Sequence, residues 1–140
     1  MIEKIVIHCS ATPPNLDVGV DEIRQWHKSS PRYWSDIGYH YVIRRNGFIE
    51  KGRHENVQGA HVYGHNKNSI GVCLVGGVVS AKGKSDSNFT FEQYQSLNEL
   101  HYDLKTRHPQ ATTCGHRDLD NKKDCPCFDI ESFFENQGGG

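Results

Sequence analysis

Segment 69–77, SIGVCLVGG, is a short and nearly continuous apolar run. A strand with this pattern has no polar face to expose to water, so it is typical of the centre of a sheet that is covered on both sides. Further β-rich runs, at 4–8, 38–52 and 111–116, alternate with helical patterns. The order β-α-β-β-β-α-β-α predicts an α/β fold, a single domain with a central mixed β-sheet flanked by helices.

Two stretches of the chain have the 3.6-residue period of a helix. Within segment 18–30 the helical spacing falls on Val20, Ile23, Trp26 and His27. Further along, Thr90 and Gln93 fit a capping box, which predicts that a second helix begins there and continues until Pro109 ends it. A short third helix is expected after Asp129, a plausible N-cap.

A β-hairpin is the clearest local prediction. Two β-rich runs flank Asn46-Gly47, the residue pair preferred for a type I′ turn. Alternation along the first of these strands places Tyr39, Tyr41 and Ile43 on one face.

Composition limits the kinds of partner. The chain has 140 residues and a formal net charge of −1, so one domain is expected over residues 1–137, and nucleic acid is not predicted as a partner. Gly138–Gly140 are interpreted as a flexible tail. Glycines interrupt the longest apolar run, so no segment is predicted to span a membrane, and a membrane is not expected as a partner. The N-terminus lacks the apolar region of a signal peptide, which predicts synthesis in the cytoplasm.

The segment CGHRDLDNKKDCPCF, residues 114–128, contains one His, two Lys and three Cys within fifteen residues. We call it the cluster segment; it is too irregular for a helix and too polar for a core strand, so we expect a binding loop. His116 and Cys125 match no zinc-finger spacing, and Cys-x-x-Cys is absent from the sequence. Two interpretations remain: half-buried thiols near a turn, or an open metal site whose three ligands come from separate parts of the fold.

Other candidate residues are ambiguous by themselves. A single strand histidine such as His8 is more often structural than a ligand, and the strand tyrosine Tyr39 is more often part of the core. His8 and Cys9 are neighbours in a strand and point to opposite faces, which excludes a Cys-His dyad between them. Cys73, inside the apolar run, is expected to be inert. Five cysteines, an odd number, do not suggest a disulfide framework.

Five motifs in register resemble those of the type 2 N-acetylmuramoyl-L-alanine amidases. They are HCSAT, EIRQWH, GYHYVIRRNG, GAHVYGHNKNSIGVCLVGG and GHRDLDNKKDCPCFD. The resemblance extends from about Ile5 to Phe134 and is closest to the short phage lysozymes of the family, with peptidoglycan recognition proteins more distant. It implies a mixed sheet flanked by helices and one zinc per chain, bound by His8, His116 and Cys125.

The resemblance also implies an endolysin-type reaction, hydrolysis of the amide that joins N-acetylmuramic acid to L-alanine in peptidoglycan. Two residues would be catalytic: Tyr39, which assists proton transfer, and Lys123, which stabilises the oxyanion. Which of the two moves the proton is left open. Small residues are common in the family where this chain has Cys127, so a replacement of Cys125 by Cys127 as ligand is not excluded.

The implied partner is peptidoglycan, with His40, His61 and Asn66 as substrate-binding residues. For the loop that contains His61 and Asn66 the alternative, a loop that satisfies its own polar groups, is about equally plausible. The protein is expected to be a monomer that is released from the host cytoplasm and then acts on the cell wall. A phage member of the family also binds RNA polymerase, but no feature here marks such a surface. A module that binds peptidoglycan without cleaving it is disfavoured, because all five implied metal and catalytic residues are present.

Overall fold

The computed structural model describes residues 1–80 and 83–137, so the tail expected at Gly138–Gly140 lies outside the described residues. The strands are β1 (Lys4–Cys9), β2 (Tyr41–Ile43), β3 (Ile49–Lys51), β4 (Ser69–Leu74) and β5 (Thr112–Gly115). The helices are α1 (Val20–Lys28), α2 (Phe91–Arg107), α3 (His116–Leu119) and α4 (Ile130–Gln137). In the described part of the chain, no helix combines the length and apolar content that crossing a membrane requires.

The five strands form one mixed sheet in the order β3-β2-β4-β1-β5. β2, β4, β1 and β5 are parallel to their neighbours, while β3 pairs antiparallel with β2 as the second strand of the hairpin. β4 lies in the middle of the sheet, and all six of its residues are buried. Both the mixed α/β fold and the central position of segment 69–77 are therefore confirmed.

Each face of the sheet has its own apolar core. On one face the strands pack against α2 and α4 through Ile5, Ile7, Ile70, Val72, Leu74, Leu97, Leu100, Leu104 and Ile130. On the other face the cluster contains Val18, Val20, Ile23, Ile37, Val42, Cys73 and Val75. Because side chains alternate along a strand, His8 lies on the face of this second core and Cys9 on the face of the first.

The capping box at the start of α2 is confirmed. The Thr90 hydroxyl accepts from the Gln93 N–H at 3.1 Å, and the Gln93 amide oxygen accepts from the Thr90 N–H at 2.9 Å.

In α1 the prediction is wrong for Trp26, which is 42% exposed. Val20, Ile23 and His27 form the buried stripe, and Trp26 lies about 60° around the helix from Ile23, outside that stripe.

The hairpin forms, but its turn is not type I′. Gly47 has a positive φ of 89°, whereas Asn46 does not. The Gly47 N–H donates to the Arg44 carbonyl at 2.8 Å, and the Asn46 side-chain oxygen accepts from the Phe48 N–H at 2.9 Å. The hydrogen bond between the Asn46 side chain and the Phe48 N–H favours a three-residue loop, with Gly47 in the left-handed conformation.

The cluster segment also departs from expectation, because its first two residues end β5 and one helical turn, α3, follows them. The Asp118 carboxylate accepts from the N–H of Gly115 at 2.8 Å, which caps this turn. At the other end of the turn the Asp120 N–H donates to the His116 carbonyl at 3.0 Å. A short capped turn needs few residues with helical preference, and the sequence pattern therefore did not reveal it.

Away from these features, Glu55 joins the long loop after β3 to the end of α2. Its carboxylate accepts from the Arg107 guanidinium at 2.7 and 2.9 Å, lies 3.0 Å from the His108 Nε2 atom, and also accepts from the Tyr41 hydroxyl. Burial alone would raise the pKa of Glu55, but these hydrogen bonds outweigh it and hold the pKa at about 2. The ionised carboxylate therefore stabilises the fold.

Replacing Glu55 with glutamine is expected to lower the free energy of unfolding at pH 7 by about 2–3 kcal/mol. Because the folded pKa lies below the unfolded one, this contribution is present above about pH 4.5 and is lost as the pH falls towards 2. Urea denaturation of both proteins from pH 7 to pH 3 measures the difference. Asp103→Asn, at the exposed partner of Arg107, is the control and should change stability by less than about 0.5 kcal/mol.

Candidate metal centre and groove

Two histidines from distant parts of the chain meet at the carboxyl ends of the parallel strands. The register pairs Ile7 of β1 with Gly115 of β5, so that the next residues, His8 and His116, come side by side. Their Nδ1 atoms are 3.1 Å apart. Two nitrogens bound to one tetrahedral zinc are about 3.3 Å apart, close to this separation.

Cys125 completes the group from the cluster segment. Its sulfur accepts from the backbone N–H of Cys9 at 2.8 Å, and its carbonyl accepts from the N–H of Arg117 at 2.8 Å. These two bonds attach the segment to the end of β1 and to α3. The candidate ligand atoms of His8, His116 and Cys125 all lie within 4.8 Å of one another.

The surroundings keep the imidazoles of this centre neutral. Burial lowers the pKa of His8 well below 6.5, and the nearby rings of His61 and His116 lower it further. Burial also lowers the pKa of His116, with a contribution from the charge of Lys123. A neutral imidazole has a lone pair to give to a metal, so these shifts favour coordination.

A second histidine orients the first. The Nε2 atom of His8 is 2.9 Å from the Nδ1 atom of His61, whose own Nε2 atom is 3.0 Å from the Ser69 hydroxyl. This is the arrangement in which a metal-binding histidine has its remaining ring nitrogen fixed by a hydrogen bond. Gly71 in β4 makes room for it, since a Cβ there would lie 2.6 Å from the His61 ring. A glycine inside an apolar strand was the available sequence signal, and it was missed.

The donor set fits zinc. Two imidazoles and one thiol are zinc ligands, and three protein ligands are typical of catalytic zinc sites, whereas structural sites usually have four. The three donor atoms lie within 4.8 Å of one another, and the two Nδ1 atoms are 3.1 Å apart, so the donors surround one point. The centre could therefore bind one zinc ion through His8, His116 and Cys125.

The centre opens into a groove of about 480 Å³ whose wall includes Tyr39, His61, Asn66 and Lys123. Tyr39 precedes β2, so strand alternation does not fix its direction. Tyr39 packs against the second core, to which Val42 belongs, whereas Tyr41 and Ile43 belong to the first core. The prediction that Tyr39, Tyr41 and Ile43 share one face is therefore wrong. Tyr39 is thereby on the same side of the sheet as His8, with the two rings 5.2 Å apart.

Tyr39 and Lys123 have side chains suited to different tasks. Burial, followed by the nearby thiols of Cys73, Cys125 and Cys9, raises the pKa of Tyr39 well above 10, so its hydroxyl stays protonated at neutral pH. Lys123 is exposed on the groove wall, and its backbone N–H donates to the Asp120 carbonyl at 3.0 Å. The groove therefore has a proton donor and a cation beside the three potential ligands.

The three residues expected to bind substrate occupy different environments. His61 and Asn66 line the groove, but the Asn66 side-chain oxygen accepts from the N–H groups of His61 and Val62 at 2.8 and 2.9 Å. His40 is 1% exposed; its Nδ1 atom accepts from the Gly71 N–H, and its Nε2 atom is 2.8 Å from the Val57 carbonyl. With both ring nitrogens held by the main chain behind the groove, His40 has no polar atom to offer a ligand, which corrects that expectation.

Cys127 points away from the candidate ligands. Its sulfur lies 4.0 Å from that of Cys9 and 3.3 Å from the Gly77 carbonyl oxygen. The sulfur that lies within 4.8 Å of the two histidine donors is that of Cys125, so this geometry favours Cys125 as the thiol ligand.

The groove wall also contains residues that sequence reasoning did not select. The Nδ1 atom of His27 accepts from the Gly38 N–H at 2.8 Å and so fixes the turn next to Tyr39. The Arg32 guanidinium lies 5.5 Å from the ring centre of Trp34. The aromatic and basic composition of segment 31–34, PRYW, was the signal available for this wall.

Comparisons with known proteins agree with this geometry. A family model described as N-acetylmuramoyl-L-alanine amidase matches residues 1–128. The chain is 49% identical over 127 residues to an endolysin of Enterobacteria phage K11, a match covering 91% of this chain and 82% of that one. It is 48% identical over 133 residues to an endolysin of Escherichia phage T7, covering 95% and 85%.

Solved structures show the same architecture. The amidase LysC from Clostridium intestinale superposes with a TM-score of 0.78 at 27% identity, covering 98% of this chain and 85% of that one. Apis mellifera PGRP-SA, at 23% identity, shares the fold with a TM-score of 0.75, covering 96% and 81%. The candidate metal centre, the groove and these matches lead to one conclusion: the chain belongs to the type 2 N-acetylmuramoyl-L-alanine amidase family.

Proposed function

We propose that this protein is a zinc-dependent hydrolase of the endolysin type, which cleaves the amide between N-acetylmuramic acid and L-alanine in peptidoglycan. The observation that carries this proposal is the convergence of His8, His116 and Cys125 within 4.8 Å, beside a groove that is lined by His116, Cys125 and Tyr39. The family match and the endolysin relatives support the same substrate. In this proposal the protein acts as a monomer on the cell wall.

The ligand set determines what the metal would contribute. Zinc bound by His8, His116 and Cys125 would polarise the scissile carbonyl and lower the pKa of a bound water to about 7. The protein holds those ligands ready: His61 fixes the ring of His8, and the N–H of Cys9 fixes the sulfur of Cys125. Little reorganisation is then needed when substrate enters.

Two side chains of the groove complete the reaction. The protonated Tyr39 hydroxyl can hold the attacking water and exchange a proton with it or with the leaving amine. The Lys123 ammonium can compensate the negative charge that develops on the carbonyl oxygen. Glycan strand and stem peptide would occupy the groove between the Arg32–Trp34 wall and segment 61–66.

A digest of purified sacculi tests the proposed reaction. Mass spectrometry should find free stem peptides with an L-alanine amino terminus and intact glycan strands, and a chelator should stop their release. New reducing sugar ends would identify a glycosidase. Binding to sacculi without release of peptides would instead identify a recognition module, the function that the resemblance to PGRP-SA raises as an alternative.

Replacing Lys123 with alanine is expected to lower kcat/KM on sacculi by about 10²–10³, because the oxyanion loses its cation in a partly desolvated groove. Zinc content and Tm should not change. Lys122→Ala is the matched control, since Lys122 is an exposed neighbour that does not line the groove. Full activity in Lys123→Ala would remove the oxyanion role.

A further inference from the structure

Two thiols that have no part in the proposed metal centre face each other beside it. The sulfurs of Cys9 and Cys127 are 4.0 Å apart, although the two residues are 118 positions apart in the sequence. Cys9 is buried, with 6% exposure, and Cys127 is half-buried. All five cysteines are free thiols in this structure.

The neighbouring backbone leaves space for this pair. Gly77 has a positive φ of 107°, and a Cβ at that position would lie 2.6 Å from the Cys9 sulfur and 3.7 Å from the Cys127 sulfur. The N–H of Gly77 donates to the Asn88 side chain at 3.0 Å, and its carbonyl lies 3.3 Å from the Cys127 sulfur. A side chain in place of this glycine would occupy the space next to the two sulfurs.

We propose that Cys9 and Cys127 are a redox-active dithiol. When it is oxidised to a disulfide, the new bond stabilises the candidate metal centre. A disulfide requires the sulfurs to approach to about 2.05 Å, a movement of roughly 2 Å from their present separation.

The disulfide would join the two segments that carry the ligands. Cys9 follows His8 directly, and Cys127 lies two positions after Cys125. The bond uses the face of β1 opposite to His8, so it links β1 to the cluster segment and leaves the three ligand atoms free. The proposal therefore does not depend on which reaction the centre catalyses.

A small disulfide such as oxidised glutathione can serve as the oxidant. The Cys127 sulfur, the more exposed of the two, attacks one sulfur of oxidised glutathione as its thiol proton is lost, and one glutathione leaves and takes up a proton. The Cys9 sulfur then attacks the Cys127 sulfur of the mixed disulfide in the same way and releases the second glutathione. Overall the protein loses two protons and two electrons, and one oxidised glutathione becomes two reduced molecules. The pair is then a dithiol under reducing conditions and a disulfide under oxidising ones.

The test uses reduced, zinc-loaded protein incubated with oxidised glutathione. Free thiols counted after denaturation should fall from five to three. A non-reducing tryptic map should join the peptide of Cys9 to that of Cys127, with fragmentation distinguishing Cys127 from Cys125. Because the new bond closes a loop of about 118 residues, Tm should rise by about 5–15 °C. Release of zinc to a chelator should become slower by about tenfold or more.

Variants separate this bond from other thiol chemistry. Cys127→Ser, with Cys9→Ala as a second variant, should show neither the rise in Tm nor the slower zinc release. Cys114→Ser is the control: its thiol, on β5, is half-buried like that of Cys127, and this variant should behave as wild type. The proposal is overturned if five thiols persist, if glutathione remains attached to Cys127, or if the cross-link involves Cys125 with loss of zinc.

Discussion

Replacing Cys125 with serine is expected to remove zinc from the protein and to lower amidase activity by at least about 10³-fold. The change leaves two imidazoles, and a neutral hydroxyl is a poor substitute for a thiolate. Zinc content from elemental analysis is measured next to kcat/KM on purified sacculi. The size of the effect reflects the loss of the group that would activate water and polarise the carbonyl.

Cys127→Ser is the matched control for this experiment. Its sulfur faces Cys9 and the Gly77 carbonyl and does not face the two histidines, so the variant should keep one zinc per chain. If Cys127→Ser lost the metal and Cys125→Ser kept it, the ligand assignment would be wrong. Equal loss in both variants would mean that the cluster segment had collapsed, which a Tm measurement detects.

Removing one oxygen atom in Tyr39→Phe is expected to lower kcat/KM by about 10²–10⁴ with a full complement of zinc. The ring should keep its packing against His8 and the second core, so Tm should stay close to that of wild type. The loss comes from the hydroxyl, which is protonated at neutral pH, and burial favours that form further by raising the pKa of Tyr39 well above 10. Activity, zinc content and melting are measured on the same preparation.

Tyr102→Phe controls for the loss of a tyrosine hydroxyl, because Tyr102 lies on α2 with 77% exposure and does not line the groove. It should retain full activity. A decrease in Tyr39→Phe that merely followed a decrease in zinc would make Tyr39 a support of the centre. Unchanged activity with full zinc would eliminate its role in proton transfer.

Much of this fold could be predicted from local patterns. The apolar run at 69–77 indicated a strand covered on both faces, and β4 is the central strand. The capping box at Thr90 and Gln93 fixed the start of α2 because its bonds join residues only three apart. The motifs around His8 and His116 identified the family, which the comparisons confirm. These features depend on near neighbours or on short motifs, which a sequence displays directly.

Contacts between distant segments were decided by the tertiary structure. Tyr39 escapes strand alternation because β2 begins only at Tyr41, and packing alone turns it towards His8. The sequence predicted the same role for His61 and His40, but His61 lines the groove and also supports the ring of His8, whereas His40 is buried with both ring nitrogens held by the main chain.

Cys125 and Cys127 of the cluster segment show the same division. The resemblance to the family favoured Cys125 as the ligand, but Cys127 follows it after a single proline, so the sequence did not exclude an exchange of the two thiols. The fold separates them: the Cys125 sulfur binds the N–H of Cys9 within reach of the two histidines, and the Cys127 sulfur faces that of Cys9. The sequence alone determined which residue types and segments form the site. Strand register and packing decided which atoms meet, because contacts between atoms of distant segments arise only when the chain folds.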